Sequence, residues 1–205
     1  MGRLFGAVSR GWRRLAMATA AGLVCLLAVG TALAYVVEPH RSPTRTMFPT
    51  LTVGDRFLVD KRKRPIRRGD VVLFRVPPNL SIGHDLRVKR AVALAGDTVA
   101  MREGTVLVNG REVPARPVGA LEWEETLDGR KYHVIRHPGG ERSSFGPVTV
   151  PAGHFFMLGD NRDDNNDSRP YGTIPVDMVI GRAVWIWWSR APEGGVRWDR
   201  VGRRL

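Results

Sequence analysis

The chain has 205 residues, one cysteine and a formal net charge of +12, with 32 Lys and Arg against 20 Asp and Glu. That length allows one domain of ordinary size besides a short appended segment, and a single cysteine excludes an intramolecular disulfide. The basic residues are scattered, with no zinc spacing, RNP-like aromatic run or helix-turn-helix pattern, so nucleic acid is not an expected partner; positive charge of this kind suits anionic lipid.

Residues 1–15 form a basic N-terminus carrying Arg3, Arg10, Arg13 and Arg14. Residues 16–37 follow as 22 positions without a formal charge. As a helix they would extend about 33 Å, enough to span a hydrocarbon core of about 30 Å. The positive-inside rule then predicts a cytoplasmic N-terminus and places residues 38–205 on the outer face of the plasma membrane. Ala32-Leu33-Ala34 has the small-x-small form of a cleavage site. The apolar run is longer than the ~7–15 residues of a cleavable leader, which favours an uncleaved anchor. Cys25 lies inside this run, where a catalytic thiol would be buried in lipid, so a Cys/His protease is excluded.

Beyond the anchor, strand signals dominate. Arg56–Asp60, Asp70–Val76, Leu86–Leu94, Thr98–Met101 and Thr105–Val108 are short, rich in β-branched residues and bounded by Gly, Pro or Asp. Asn109-Gly110 predicts a type I′ hairpin leading to Glu112-Val113, and Pro65–Gly69 reads as a basic turn. Residues 114–147 are more polar and read as an inserted subdomain or extended hairpin with no direct part in chemistry. Pro151–Leu158 re-enters the core as a strand, and Ile180–Trp188 is a last one. Alternation puts Trp185 and Trp187 on one face and Trp188 on the other; with Trp198 and nearby arginines, exposed ones could rest at a lipid interface. The expected class is mostly β, with an inserted β-rich subdomain after one transmembrane helix.

Between that re-entering strand and the last one, Leu158-Gly-Asp-Asn-Arg-Asp-Asp-Asn-Asn-Asp-Ser-Arg-Pro-Tyr-Gly172 crowds four Asp, three Asn and two Arg between two glycines. Charges this dense are favourable when they lock as Arg–carboxylate forks. The run lacks the alternate carboxylates and closing Glu of an EF-hand. Two other blocks matter: Pro43-Thr-Arg-Thr-Met-Phe-Pro-Thr-Leu-Thr-Val-Gly-Asp55 and Arg87-Val-Lys-Arg-Ala-Val-Ala-Leu-Ala-Gly-Asp97.

In this order behind an apolar span, the three blocks resemble the type I signal peptidases, membrane-bound serine/lysine endopeptidases, from about Pro43 to Ser189. The resemblance implies a two-sheet β catalytic domain, no metal or organic cofactor, and signal peptides of exported preproteins as partners at the bilayer. It implies Thr46 as nucleophile and Lys89 as base, with Thr44 donating to the oxyanion. It also pairs Arg90 with Asp160 and Arg169 with Asp167, so that Asn165 can touch the lysine. Pro43, Met47, Leu51 and Val88 would line shallow pockets for alanine-sized groups. The departure is Thr46, where the family pattern has serine. Its methyl restricts χ1 and crowds attack, although the hydroxyl is kept. Three readings stay open: a peptidase cutting after Ala-x-Ala, a weak or inactive relative that binds leader peptides or membrane partners, and a processing peptidase for one substrate. His84, His133, His137 and His154 lack ligand spacing such as His-Glu-x-x-His.

Lysine acts as a base only if its pKa falls from ~10.4 toward neutrality, which burial can bring about. Alternation puts Lys89 on the face of Ala91 and Ala93, small neighbours that would let its stem lie buried.

Overall fold

The computed structural model describes residues 36–76, 85–137, 144–164 and 166–205, together with 12, 16–17, 19–28 and 30–31. The chain divides into two compact units, residues 1–38 and 39–205. In the first, residues 19–28 are helical and exposed. Among the described residues no helix is long and apolar enough to cross a membrane. Positions 18, 29 and 32–35 of the expected anchor lie outside the described residues, and its last residue, Val37, opens a strand.

The second unit is mostly β. Its strands are β1 (Val37–Arg41, the first two residues of which fall in the first unit), β2 (Asp55–Asp60), β3 (Val71–Arg75), β4 (Leu86–Leu94), β5 (Thr98–Arg102), β6 (Thr105–Val108) and β7 (Arg111–Glu112). They continue with β8 (Ala115–Pro117), β9 (Glu122–Leu127), β10 (Arg130–Ile135), β11 (Phe145–Thr149), β12 (His154–Leu158), β13 (Ile174–Pro175) and β14 (Val179–Ser189). One short helix, α1 (Ser168–Tyr171), follows the acidic run. The sequence predicts a two-sheet catalytic domain with a β-rich insertion, and the described residues form three sheets in all. The seven-stranded sheet runs β1-β2-β14-β3-β4-β12-β13, the four-stranded one β11-β5-β6-β7 and the three-stranded one β10-β9-β8. The third arises because residues 115–135 pair with one another rather than extending a neighbouring sheet.

Local chemistry explains the joints. Asn109 and Gly110 both adopt positive φ, at 54° and 75°, as a type I′ turn requires. In β4, Lys89 to Ala93 are all buried, since the strand lies between β3 and β12 and is covered on both faces. One core cluster, with Met47, Leu51, Phe57, Val59, Val71, Leu73, Ala183 and Ile186, lies beneath the turn that follows β1. In β14, irregular register between Ala183 and Trp185 and between Ile186 and Trp188 disturbs the alternation. Trp185 and Trp187 are both exposed, while half-buried Trp188 meets Trp198 edge-on at 6.0 Å.

Candidate active site

Three segments far apart in sequence meet at Thr46. The first is the turn that carries it, closed by Phe48 N donating to Arg45 O at 3.0 Å and Leu51 N to Met47 O at 2.8 Å. Met47 and Leu51, four residues apart, thereby point into the core. Both are fully buried and Pro43 is exposed, while Val88 packs partly buried against the same cluster. Of the four residues expected to line a pocket, two are therefore core residues under the turn. Asp55 fixes the far end of the turn: its carboxylate accepts from Thr52 N at 2.9 Å, Ser189 Oγ at 2.6 Å and Arg200 Nη2 at 2.6 Å. Arg200 also donates to Thr50 O at 2.9 Å.

The second segment is β4. Lys89 Nζ lies 2.5 Å from Thr46 Oγ1, and the lysine is only 1% exposed. Burial lowers its pKa from 10.5 to about 8, against the attraction of Asp167, Asp164 and Asp160, which favours the charged form. Thr44 Oγ1 stands 3.3 Å from Thr46 Oγ1 on an exposed part of the turn.

The third segment is the acidic run. Arg90 forks onto Asp160 at 2.8 and 2.6 Å, and the fork is tied to the Thr46 turn by Thr50 Oγ1, which donates to Asp160 at 2.5 Å. Arg169 forks onto Asp167 at 2.8 and 2.7 Å and donates to the carbonyls of Arg162 and Asp164. Asp167 accepts from Gly159 N at 3.0 Å and caps α1 through Arg169 N. Gly159 packs tightly against the turn: a Cβ there would stand 2.6 Å from Thr46 O. Asn161 N then donates to that same carbonyl at 3.1 Å. Asn165 lies outside the described residues.

Sequence reasoning missed several participants. Glu125 and Arg162 form a fully buried fork at 2.7 and 2.6 Å. Trp123, Glu125 and Leu127 alternate onto one face of β9, so a carboxylate on an otherwise apolar stripe was the available signal. Thr50 could have been read from its place in the first block. Asp55 and Arg200 are 145 positions apart, and no local pattern joins them. Residues 114–147, expected to stand aside from the chemistry, also supply the Tyr132 ring, 4.0 Å beneath the Arg90 guanidinium.

The family described as Signal peptidase, peptidase S26, matches residues 14–188. Signal peptidase I of Pseudomonas aeruginosa is 36% identical over 192 residues, covering 76% of this chain and 66% of that protein. Probable signal peptidase I-1 of Synechocystis is 32% identical over 175 residues, covering 82% and 77% respectively. Signal peptidase I of Mycobacterium tuberculosis is 34% identical over 213 residues, covering 80% and 69%. The chain thus spans just under two thirds of the Pseudomonas protein's length.

Proposed function

The chain belongs to the signal peptidase family, peptidase S26, and on that premise we propose that it is a membrane-bound endopeptidase removing N-terminal leader peptides from exported preproteins after small-x-small sequences such as Ala-x-Ala. The observation that carries the reading is the 2.5 Å contact between Lys89 Nζ and Thr46 Oγ1. An amine with a pKa of about 8 is neutral in about one molecule in ten at pH 7, against about one in three thousand at 10.5. Its free lone pair can then accept the Thr46 proton, which is the task of a general base beside a hydroxyl nucleophile.

In this mechanism Thr46 Oγ1 attacks the scissile carbonyl while its proton passes to Lys89. The tetrahedral oxyanion takes hydrogen bonds from Thr46 N–H and the Thr44 hydroxyl; one such donor is typically worth ~10²–10³ in rate. Protonated Lys89 returns the proton to the leaving amine, giving an ester on Thr46. A water deprotonated by the same amine hydrolyses that ester. The forks Arg90–Asp160 and Arg169–Asp167 hold the acidic run against the dyad and react with nothing. The anchor is the uncharged run that begins at residue 16 and ends before β1, crossing once with the N-terminus inside and the peptidase unit outside; what supports this is its uncharged length and the arginines before it.

The test uses the purified full chain in detergent and a preprotein with an Ala-x-Ala junction. The parent cleaves it after the second alanine, Lys89→Met does not, and Thr46→Ser cleaves at an equal or higher rate because the crowding methyl is gone. Full activity in Lys89→Met would refute the dyad.

A further inference from the structure

The three-stranded sheet β8–β10 is stitched to the acidic run by contacts that no surface insertion requires. Glu125 on β9 is 1% exposed, and its two oxygens accept Arg162 Nη1 at 2.7 Å and Nη2 at 2.6 Å. The third face of that guanidinium is also used, since Nε donates to Gly159 O at 3.1 Å. The backbones interlock as well: Ile135 N donates to Asp160 O and Arg162 N to Ile135 O, each at 2.8 Å. From the same sheet, the Tyr132 ring lies against the guanidinium that grips Asp160.

The other side of these same residues faces the dyad. Gly159 sits against the Thr46 carbonyl, and Asn161 N donates to it. Glu125 therefore aims Arg162, Arg162 fixes Gly159, and Gly159 with Asn161 fixes the Thr46 backbone. A bidentate fork resists rotation about either side chain, and inside a dry interior both partners are strongly unfavourable alone. A pair that only bound two sheets together would not need Nε on the carbonyl of the residue that touches Thr46.

We infer that Glu125 is a positioning residue for the Thr46–Lys89 dyad, transmitting the placement of the three-stranded sheet to the nucleophile through Arg162 and Gly159. The inference rests on the peptidase reading given above, so its test carries one readout that needs no catalysis. Glu125→Gln keeps the shape but removes the charge and turns one acceptor into a donor facing Arg162. Glu125→Leu/Arg162→Met removes both charges, leaves neither partner as an unpaired buried ion, and folds with a melting temperature close to the parent's.

Both variants are made in the full chain in detergent. The expected result is a loss of at least tenfold in kcat with KM changed less than twofold, since a misplaced nucleophile harms the chemical step. Hydrogen exchange at Asn161 N–H, which donates to Thr46 O, is expected to speed up at least tenfold while core amides of β4 stay protected. If the parent cleaves nothing, the peptidase reading fails and the exchange result alone decides the positioning claim. A double variant with parental kcat and parental Asn161 exchange would overturn the inference, even if Glu125→Gln failed to fold.

Discussion

Replacing Lys89 by methionine should make the protein inactive and more stable at once. The parent buries an amine whose pKa falls from 10.5 to about 8. At about 1.4 kcal/mol per tenfold change in proton affinity, keeping that amine protonated in the fold at pH 7 costs about 3 kcal/mol. Methionine has similar length and carries no charge, so the cost disappears. Loss of the hydrogen bond to Thr46 takes back about 1 kcal/mol. The net gain is about 2 kcal/mol, or about 4–8 °C in melting temperature for a chain of this size. The pH dependence gives the sign. Between about pH 8 and 10.5 the unfolded lysine holds a proton that the folded one has released, so parental stability rises with pH across that window. The advantage of Lys89→Met is therefore full below pH 8 and fades toward pH 10.5. Thermal unfolding of both proteins in detergent at pH 7 and pH 10 measures the gap, and every other titrating group cancels in the difference. A gap that is zero or negative at pH 7 and unchanged at pH 10 would refute the reasoning, because Lys89 would then not be a desolvated amine.

Three further outcomes follow from the same geometry. The acid limb of kcat/KM for preprotein cleavage should rise with unit slope and level off near pH 8, and a midpoint above 10 would contradict burial as the source of the base. Gly159→Ala places a Cβ 2.6 Å from Thr46 O; the carbonyl must move, and kcat/KM should fall about 10²-fold, as misplacement on the scale of 1 Å typically does. Arg169→Gln removes both guanidinium contacts to Asp167 and should move the acid limb to higher pH, measured on the same substrate.

What could be read from the chain and what could not differ in physical kind. The hairpin at Asn109-Gly110 and the strand β4 were legible because turn chemistry and β-branched runs act over a few residues. The dyad candidates were legible only through their motifs, since Thr46 and Lys89 are 43 positions apart and nothing local says they touch. The insertion was legible as β-rich, but its individual strands were not, because they are polar on one face and their pairing is closed within residues 115–135. Met47 and Leu51 were assigned to a pocket by motif, although their i, i+4 spacing on a helical turn already marked one buried face.

The dense charge of the acidic run and the need for a neutral lysine pull in opposite directions, and the arginine forks reconcile them. Asp167, Asp164 and Asp160 each favour the ammonium form of Lys89, which would defeat a base working near neutral pH. Two of these three carboxylates are engaged bidentately by a guanidinium, with both partners of each fork nearly inaccessible to water. A carboxylate whose charge is balanced by an arginine in contact projects a weaker field at a more distant amine than a bare one. The same oxygens still hold the Gly159 amide and the Thr50 hydroxyl, so the loop keeps its shape while its field at Lys89 is reduced. Burial can then outweigh the residual attraction. On the proposed mechanism the arginines therefore favour the neutral form of Lys89 as well as the shape of the loop, and a loop of equal shape with fewer cations would hold Thr46 in place while leaving a smaller fraction of Lys89 neutral.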